Sequence, residues 1–240
     1  MFTYVKLKFH AAHYRVVIEH LLLAKRVGRS YQQGMDEPAA TETGWRGSRE
    51  GWLQAAYDAL IENGVDSVKI MTLAARLKLS RTSFYWFFKD RDEVLDALRG
   101  RWAEATTAPL VAATQDYAET GTEAMLNVLA CFLSGRFDAR FEFAVRSWAL
   151  QDEAMMAAVH AADADRLSAL TAMLGRWGHG AEDADVRART VYLVQIGYIS
   201  MQAEEPMATR LARIPTYVEI YTGKRPEPRE LARFHARIGQ

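Results

Sequence analysis

The chain has 240 residues, half of them apolar, one cysteine and a formal net charge of zero. That is enough apolar material for a buried core, and a lone cysteine excludes an intrachain disulfide and a thiolate metal cluster. No apolar run reaches the roughly 18–20 residues of a membrane-spanning helix, and HLLLA at 20–24 is too short, and too soon followed by Lys25 and Arg26, for an export signal. The chain reads as cytoplasmic. Its neutrality hides an asymmetry: residues 1–91 carry 14 Lys/Arg against 9 Asp/Glu, and residues 92–240 carry 16 against 21. A basic first part and an acidic remainder suit a chain with one nucleic-acid end.

Residues 1–47 form an N-terminal extension and linker. Within it, 14–27 has the pattern of a basic amphipathic helix, and 28–47 is rich in Gly, Ser, Thr and Glu. Three readings stand open: translation starting at Met35, a basic arm (Lys6, Lys8, Arg15, Lys25, Arg26, Arg29) touching phosphates, or a helix packed on the body.

From Ser48 the pattern is helical. Trp52, Leu53, Ala56, Leu60 and Ile61 share one stripe, and Asn63-Gly64 closes it. A short helix over 70–77 turns Leu73, Ala74 and Leu77 inward. Ser80 caps a second one of barely two turns, ending at Phe87-Phe88. Asp90 with Glu93 makes a capping box for a longer helix to about Pro109, and Thr120 with Glu123 caps the next. Further helices are expected at 139–150, 153–176, 182–204, 207–221 and 228–238. No alternating stretch supports a sheet. The expected architecture is all-α: a three-helix helix-turn-helix unit over 48–92, fused to a helical regulatory and dimerisation domain over 93–240.

Two short helices with a tight turn form a DNA-reading head when the second lies in the major groove with its first residues at base edges. Here those residues are Arg81, Thr82 and Ser83. Arg81 has the donors for guanine O6 and N7, and Thr82 offers a hydroxyl and a methyl group. Phe84 and Phe88 point into the small core. Tyr85 and Trp86 lie beside that seam, facing sugar and phosphate, with Lys69, Lys78, Lys89 and Arg91 as backbone anchors.

The stretch from Trp52 to Trp102 resembles the TetR family of transcriptional regulators. Leu73-Ala74, the run from Leu79 to Tyr85, Phe88, Asp90-Arg91 and Val94-Leu95 carry the resemblance. It implies an all-helical dimer with an N-terminal DNA-binding domain and a C-terminal domain for ligand binding and dimerisation. It also implies a phosphate-contacting tyrosine at Tyr85 and a basic residue at Arg91. Two positions depart from the family pattern. Lys78 stands where the turn usually has glycine, at a cost of about 1 kcal/mol if φ is positive there. Phe87 replaces a common histidine, so any phosphate contact from that ring is lost.

In the body, residues 139–167 resemble the regulatory half of one subset of the family through Arg146, Trp148-Ala149, Asp152 and Asp165-Arg166-Leu167. Arg146 stands among apolar neighbours and needs a partner if buried, with Asp163 or Asp165 in reach. Cys131, within LNVLACFLSG, reads as a buried small hydrophobe. Trp102, Phe141 and Trp148 are the candidate walls of a pocket for a small apolar effector. Leu193, Val194, Gly197 and Met201 form the candidate stripe of a dimer seam. His160 and Asp163 lack a third ligand at metal-site spacing, and no catalytic or nucleotide-binding fingerprint is present. The sequence therefore points to no enzyme, metal or cofactor. It points to a dimeric, ligand-responsive repressor on a palindromic operator of double-stranded DNA. The alternative is a dimeric DNA-binding protein that is constitutive or regulated by a protein partner.

Overall fold

A computed structural model describes residues 47–239, and among them all regular structure is helical. The readings made for residues 1–46 lie outside the described residues. Helix α1, Arg49–Asn63, starts at Ser48, whose hydroxyl accepts from the Gly51 N–H at 3.0 Å, and stops at Gly64 with φ 78°. After a 3₁₀ turn at Val65–Ser67 come α2, Ile70–Leu77, and α3, Arg81–Phe84. Helix α3 is a single α-turn, shorter than its pattern suggested. Beyond it Phe87 and Phe88 still donate to the Phe84 carbonyl, at 3.0 and 3.1 Å.

Helix α4, Arg91–Trp102, begins with the expected cap. Asp90 accepts from the Glu93 N–H at 3.0 Å, and Glu93 reaches back to the Lys89 N–H at 2.7 Å. The expected stop at Pro109 does not occur. The helix passes through a π-helical segment, Ala103–Thr107, into α5, Ala108–Gln115. Pro109 has no N–H to give the Ala105 carbonyl four residues back, so that carbonyl accepts from the Asp138 N–H instead, at 3.0 Å. The wider π-turn absorbs the proline, and a tertiary bond replaces the missing helical one.

The body continues with α6, Gly121–Leu133; α7, Ala139–Ala149; α8, Glu153–Arg176; α9, Ala181–Ser200; α10, Met207–Thr222; and α11, Pro228–Arg237. From Thr122 to Cys131 every residue of α6 is buried, and the polar ones among them are bonded, Glu123 to Arg233 and Asn127 to the Tyr117 carbonyl. It is covered by α5, α10 and α11, while α8 lies along α9. Cys131 sits within this core, and burial pushes its thiol up to about 11.

Buried apolar side chains form two clusters. One joins the head to α7 and the first half of α8, and the other fills the remainder of the body. Arg166 stands at the boundary. Its guanidinium lies 5.2 Å from the Trp102 ring centre, in the first cluster, and 5.5 Å from that of Phe137, in the second. No helix among the described residues is long and apolar enough to cross a membrane.

Candidate nucleic-acid interface

The head closes around aromatic rings. Phe84, fully buried, meets Trp52 edge-on at 5.4 Å and stacks near Phe88 at 5.6 Å. Between α2 and α3 the chain turns at Lys78, which holds a left-handed conformation with φ 55° and ψ 39°. The N–H groups of Lys78 and Leu79 return to the Ala75 and Ala74 carbonyls at 3.2 and 3.0 Å. Arg76 ties α2 to α1 through Glu62, at 3.0 Å. Gly47 enters the head so tightly that a Cβ there would lie 2.8 Å from Leu79 Cδ1.

On the outside of this core, Arg81 and Thr82 are exposed at the start of α3. Tyr85 and Trp86 follow, exposed to 51 % and 64 %. Lys69, Lys78 and Lys89 are also open to solvent around the unit. Base edges and phosphates match the donors that these exposed rings and cations present.

Two members of the expected set are placed differently. Ser83 was expected at the exposed face, but it turns inward and is 8 % exposed, its Oγ 3.0 Å from that of Ser80. In a one-turn helix the third residue folds back over the cap, and the cap takes up its hydroxyl. Arg91 was expected at the phosphates. It is half-buried, and its Nε and Nη2 donate to the Val68 and Val65 carbonyls at 2.7 and 2.9 Å. It clamps the 3₁₀ turn between α1 and α2.

Where the head meets the body, Asp138 links three elements. Its carboxylate caps α7 through the Phe141 N–H and accepts from the Tyr57 hydroxyl of α1 at 2.6 Å, while its own N–H serves the π-segment. Burial and this bond push the Tyr57 phenol up to about 12. Sequence reasoning passed over Asp138, because only its aspartate-before-helix pattern was visible and the distant partners were not.

Beside it lies a buried polar cluster. All five Arg166 N–H groups have acceptors: Nε donates to Thr107 at 3.0 Å, Nη1 to Glu142 and Tyr192 at 2.8 Å each, and Nη2 to Thr106 at 2.8 Å and Glu142 at 3.1 Å. Arg146 pairs with Glu142 at 2.8 Å and with Asp163, so Asp163 rather than Asp165 is its partner. The two guanidiniums hold each other's carboxylates in a neutral set. Burial pushes the Tyr192 hydroxyl, bonded to Asp163, above its usual range.

Trp102, Phe141 and Trp148 are all buried members of the head–body cluster. The Trp102 and Trp148 indoles donate to Glu142 and Asp152 at 2.7 and 3.0 Å, and Phe141 packs edge-on against Tyr57 at 4.9 Å. The three brace the joint, and the hollows described in the body are lined by other side chains. One, of about 420 Å³, is bordered by Thr122, Trp177, His179, Lys224 and Glu230. Another, of about 170 Å³, is bordered by Phe132, Gln195, Tyr198 and Arg210. Along α9, Leu193 and Met201 are 63 % and 80 % exposed, with Val194 and Gly197 half-buried between them. Ala188, Val191, Tyr192 and Gln195 fill the opposite face. His179 is bonded to Asp183 at 2.6 Å, and no group of three His, Cys, Asp or Glu positioned to hold a metal occurs among the described residues.

A profile of bacterial regulatory proteins, tetR family, matches residues 53–98. No curated protein sequence matches the chain significantly. Solved structures share its fold. Salmonella enterica GusR aligns with a TM-score of 0.57 and 15 % identity, over 76 % of this chain and 96 % of its own. Mycobacterium smegmatis AmtR gives 0.55 and 18 %, over 85 % and 98 %. A putative TetR-family transcriptional regulator from Mesorhizobium loti MAFF303099 gives 0.52 and 11 %, over 82 % and 98 %.

Proposed function

Because the chain carries at residues 53–98 the N-terminal domain of the tetR family of bacterial regulatory proteins, on a TetR-like fold, we propose that it is a DNA-binding transcriptional regulator acting as a ligand-responsive repressor. The observation that carries this reading is the outward-facing Arg81–Thr82 pair, flanked by Tyr85, Trp86 and the exposed lysines, on a head whose core is closed behind it. Arg81 and Thr82 read bases, and Tyr85, Trp86, Lys69, Lys78 and Lys89 hold the backbone. Two heads are carried by a homodimer, so the operator is a rough palindrome with half-sites on one duplex face. The seam proposed for that dimer is the exposed stripe of α9, Leu193, Val194, Gly197 and Met201, extended by Val186.

Effector action passes through α4, which runs from the head straight into the π-segment and α5. Adjacent major grooves on one duplex face are about 34–36 Å apart, so a tilt of α4 that shifts the heads by several ångströms prevents joint docking while both stay folded. A regulator answering to no small molecule finds support in the burial of Trp102, Phe141 and Trp148, whose packing is that of a joint.

The test is binding to promoter DNA and to random duplex over a range of salt. Arg81→Ala is expected to cost about 1–3 kcal/mol on the specific site and to relax preference at one base pair. Lys89→Ala should weaken both duplexes alike and lower the salt slope by about one. Equal losses from Arg81→Ala on both duplexes would overturn that division of roles.

A further inference from the structure

Two polar side chains of the body make no hydrogen bond or ion pair among the described residues, and they border the same hollow. Gln195 lies on the buried face of α9, only 7 % exposed, yet its amide makes no hydrogen bond among the described residues. Arg210 of α10 is half-buried, its guanidinium 4.8 Å from the Tyr198 ring centre, and among the described residues no carboxylate pairs with it. Several other charged groups of the body are paired. Arg146 and Arg166 have their carboxylates, and in the larger cleft Glu230 is satisfied by Thr120, Thr122 and the Glu227 N–H, and Arg225 by Glu219. Neither group has a protein acceptor at the hollow among the described residues, so an occupant that supplies one gains charge-assisted bonds there.

Gln195, Tyr198 and Arg210 border both the 170 Å³ hollow and an adjoining one of about 20 Å³. Phe132, Ile199, Leu133 and Ile214 supply the apolar side. The Tyr198 and Tyr217 hydroxyls, 3.3 Å apart, add a further donor. A cavity of roughly 150 Å³ takes a single benzene ring, which sets the size of an occupant. The charge sets its class: one guanidinium with one amide beside it matches a carboxylate, while a phosphate dianion would call for a second cation.

Resting on the ligand-responsive reading above and deepening it, we infer that the effector is a small organic monocarboxylate with one ring or a short apolar tail, held by Arg210, Gln195 and Tyr198. The hollow also reaches the joint. The Phe132 ring lies 4.8 Å from that of Phe137, which packs beneath Arg166, and Arg166 bonds Thr106 and Thr107 of the π-segment. Ala139, another wall residue, adjoins Asp138, which holds both the π-segment and Tyr57 of the head. Filling the hollow therefore presses on two contacts that position α4.

The experiment is calorimetric titration of the full chain, without DNA, using benzoate, hexanoate, neutral benzamide and inorganic phosphate. Benzoate is expected to bind at least about tenfold more tightly than benzamide and phosphate, as befits a charge-assisted pair. Arg210→Gln should abolish that preference, with Arg210→Lys intermediate. Gln195→Leu should weaken benzoate while its melting temperature stays level or rises, which separates a lost contact from a lost fold. Equal binding of benzoate and benzamide, full preference in Arg210→Gln, or no carboxylate binding at millimolar concentration would each overturn the inference. Operator binding is measured separately. If it is intact while carboxylates fail, only this inference falls; if carboxylates bind and operator binding is absent, the site stands and the regulator reading falls.

Discussion

Lys89 and Arg91 are two residues apart and carry the same charge, but their surroundings give them different work. Lys89 is nearly free in solvent, with Asp90 3.9 Å away. Arg91 is bonded to two carbonyls of the turn that sets α2 against α1. Charge-assisted bonds to partly buried acceptors contribute more than a solvated surface charge. Arg91→Ala should lower unfolding stability by about 2 kcal/mol, while Lys89→Ala stays within about 0.5 kcal/mol. Denaturant titration of the two variants checks this, and equal stabilities would return Arg91 to the phosphate anchors. Lys78 carries two roles that can be separated. Its left-handed backbone favours glycine, so Lys78→Gly should stabilise the head by about 1 kcal/mol. The same change removes a cation facing the proposed phosphates and should weaken DNA binding without regard to sequence. A variant that melts higher and binds DNA as tightly as before would remove Lys78 from the interface.

At the scale of elements, the connection from α4 through the π-segment to α5 matters most. Its continuity comes from capping at Asp90, which leaves no loose linker after Phe88 to absorb motion. Pro109, which has no N–H, leaves the Ala105 carbonyl to Asp138. A π-turn with its carbonyl bonded across to α7, beside Thr106 and Thr107 bonded to Arg166, holds α4 to the body by specific contacts. Inserting three or four glycines after Lys89 should therefore uncouple effector from operator while both binding activities remain measurable. Induction of normal strength after that insertion would show that no rigid lever is needed, and would favour a mechanism acting through head stability.

For the whole molecule, the exposed apolar stripe on α9 is the outstanding surface. Val186, Leu193 and Met201 are each more than half exposed, on a helix whose other face is fully engaged. Gly197 within the stripe leaves space for close approach, since a Cβ built there would meet nothing within 4 Å. Burying such residues against a second copy would recover roughly 25 cal/mol per Å² of apolar surface. Val194→Glu should convert a dimer into folded monomers, read as solution mass with helical content retained. A dimer of unchanged mass would place the seam elsewhere. Loss of the dimer should also lower operator affinity steeply, because two half-sites would no longer be engaged together.

Most of the helical order was legible in the chain itself, because apolar spacing and caps are local. Ser80, Asp90 and Thr120 each accept the N–H that their capping position implied. The left-handed turn at Lys78 was anticipated through the family's glycine, and Asp163 was one of the two partners in reach of Arg146. What escaped sequence reading depends on residues far apart in the chain. Pro109 reads as a stop until Asp138 supplies the missing bond; Arg91 reads as a surface cation until two carbonyls 23 and 26 residues away claim it. Trp102, Phe141 and Trp148 read equally well as pocket wall or as packing, since both uses select large apolar rings, and only tertiary structure put them in the joint. Gln195 and Arg210 carry no sequence signal at all, because what sets them apart is their meeting at one hollow, from α9 and α10, and that is a property of the assembled interior.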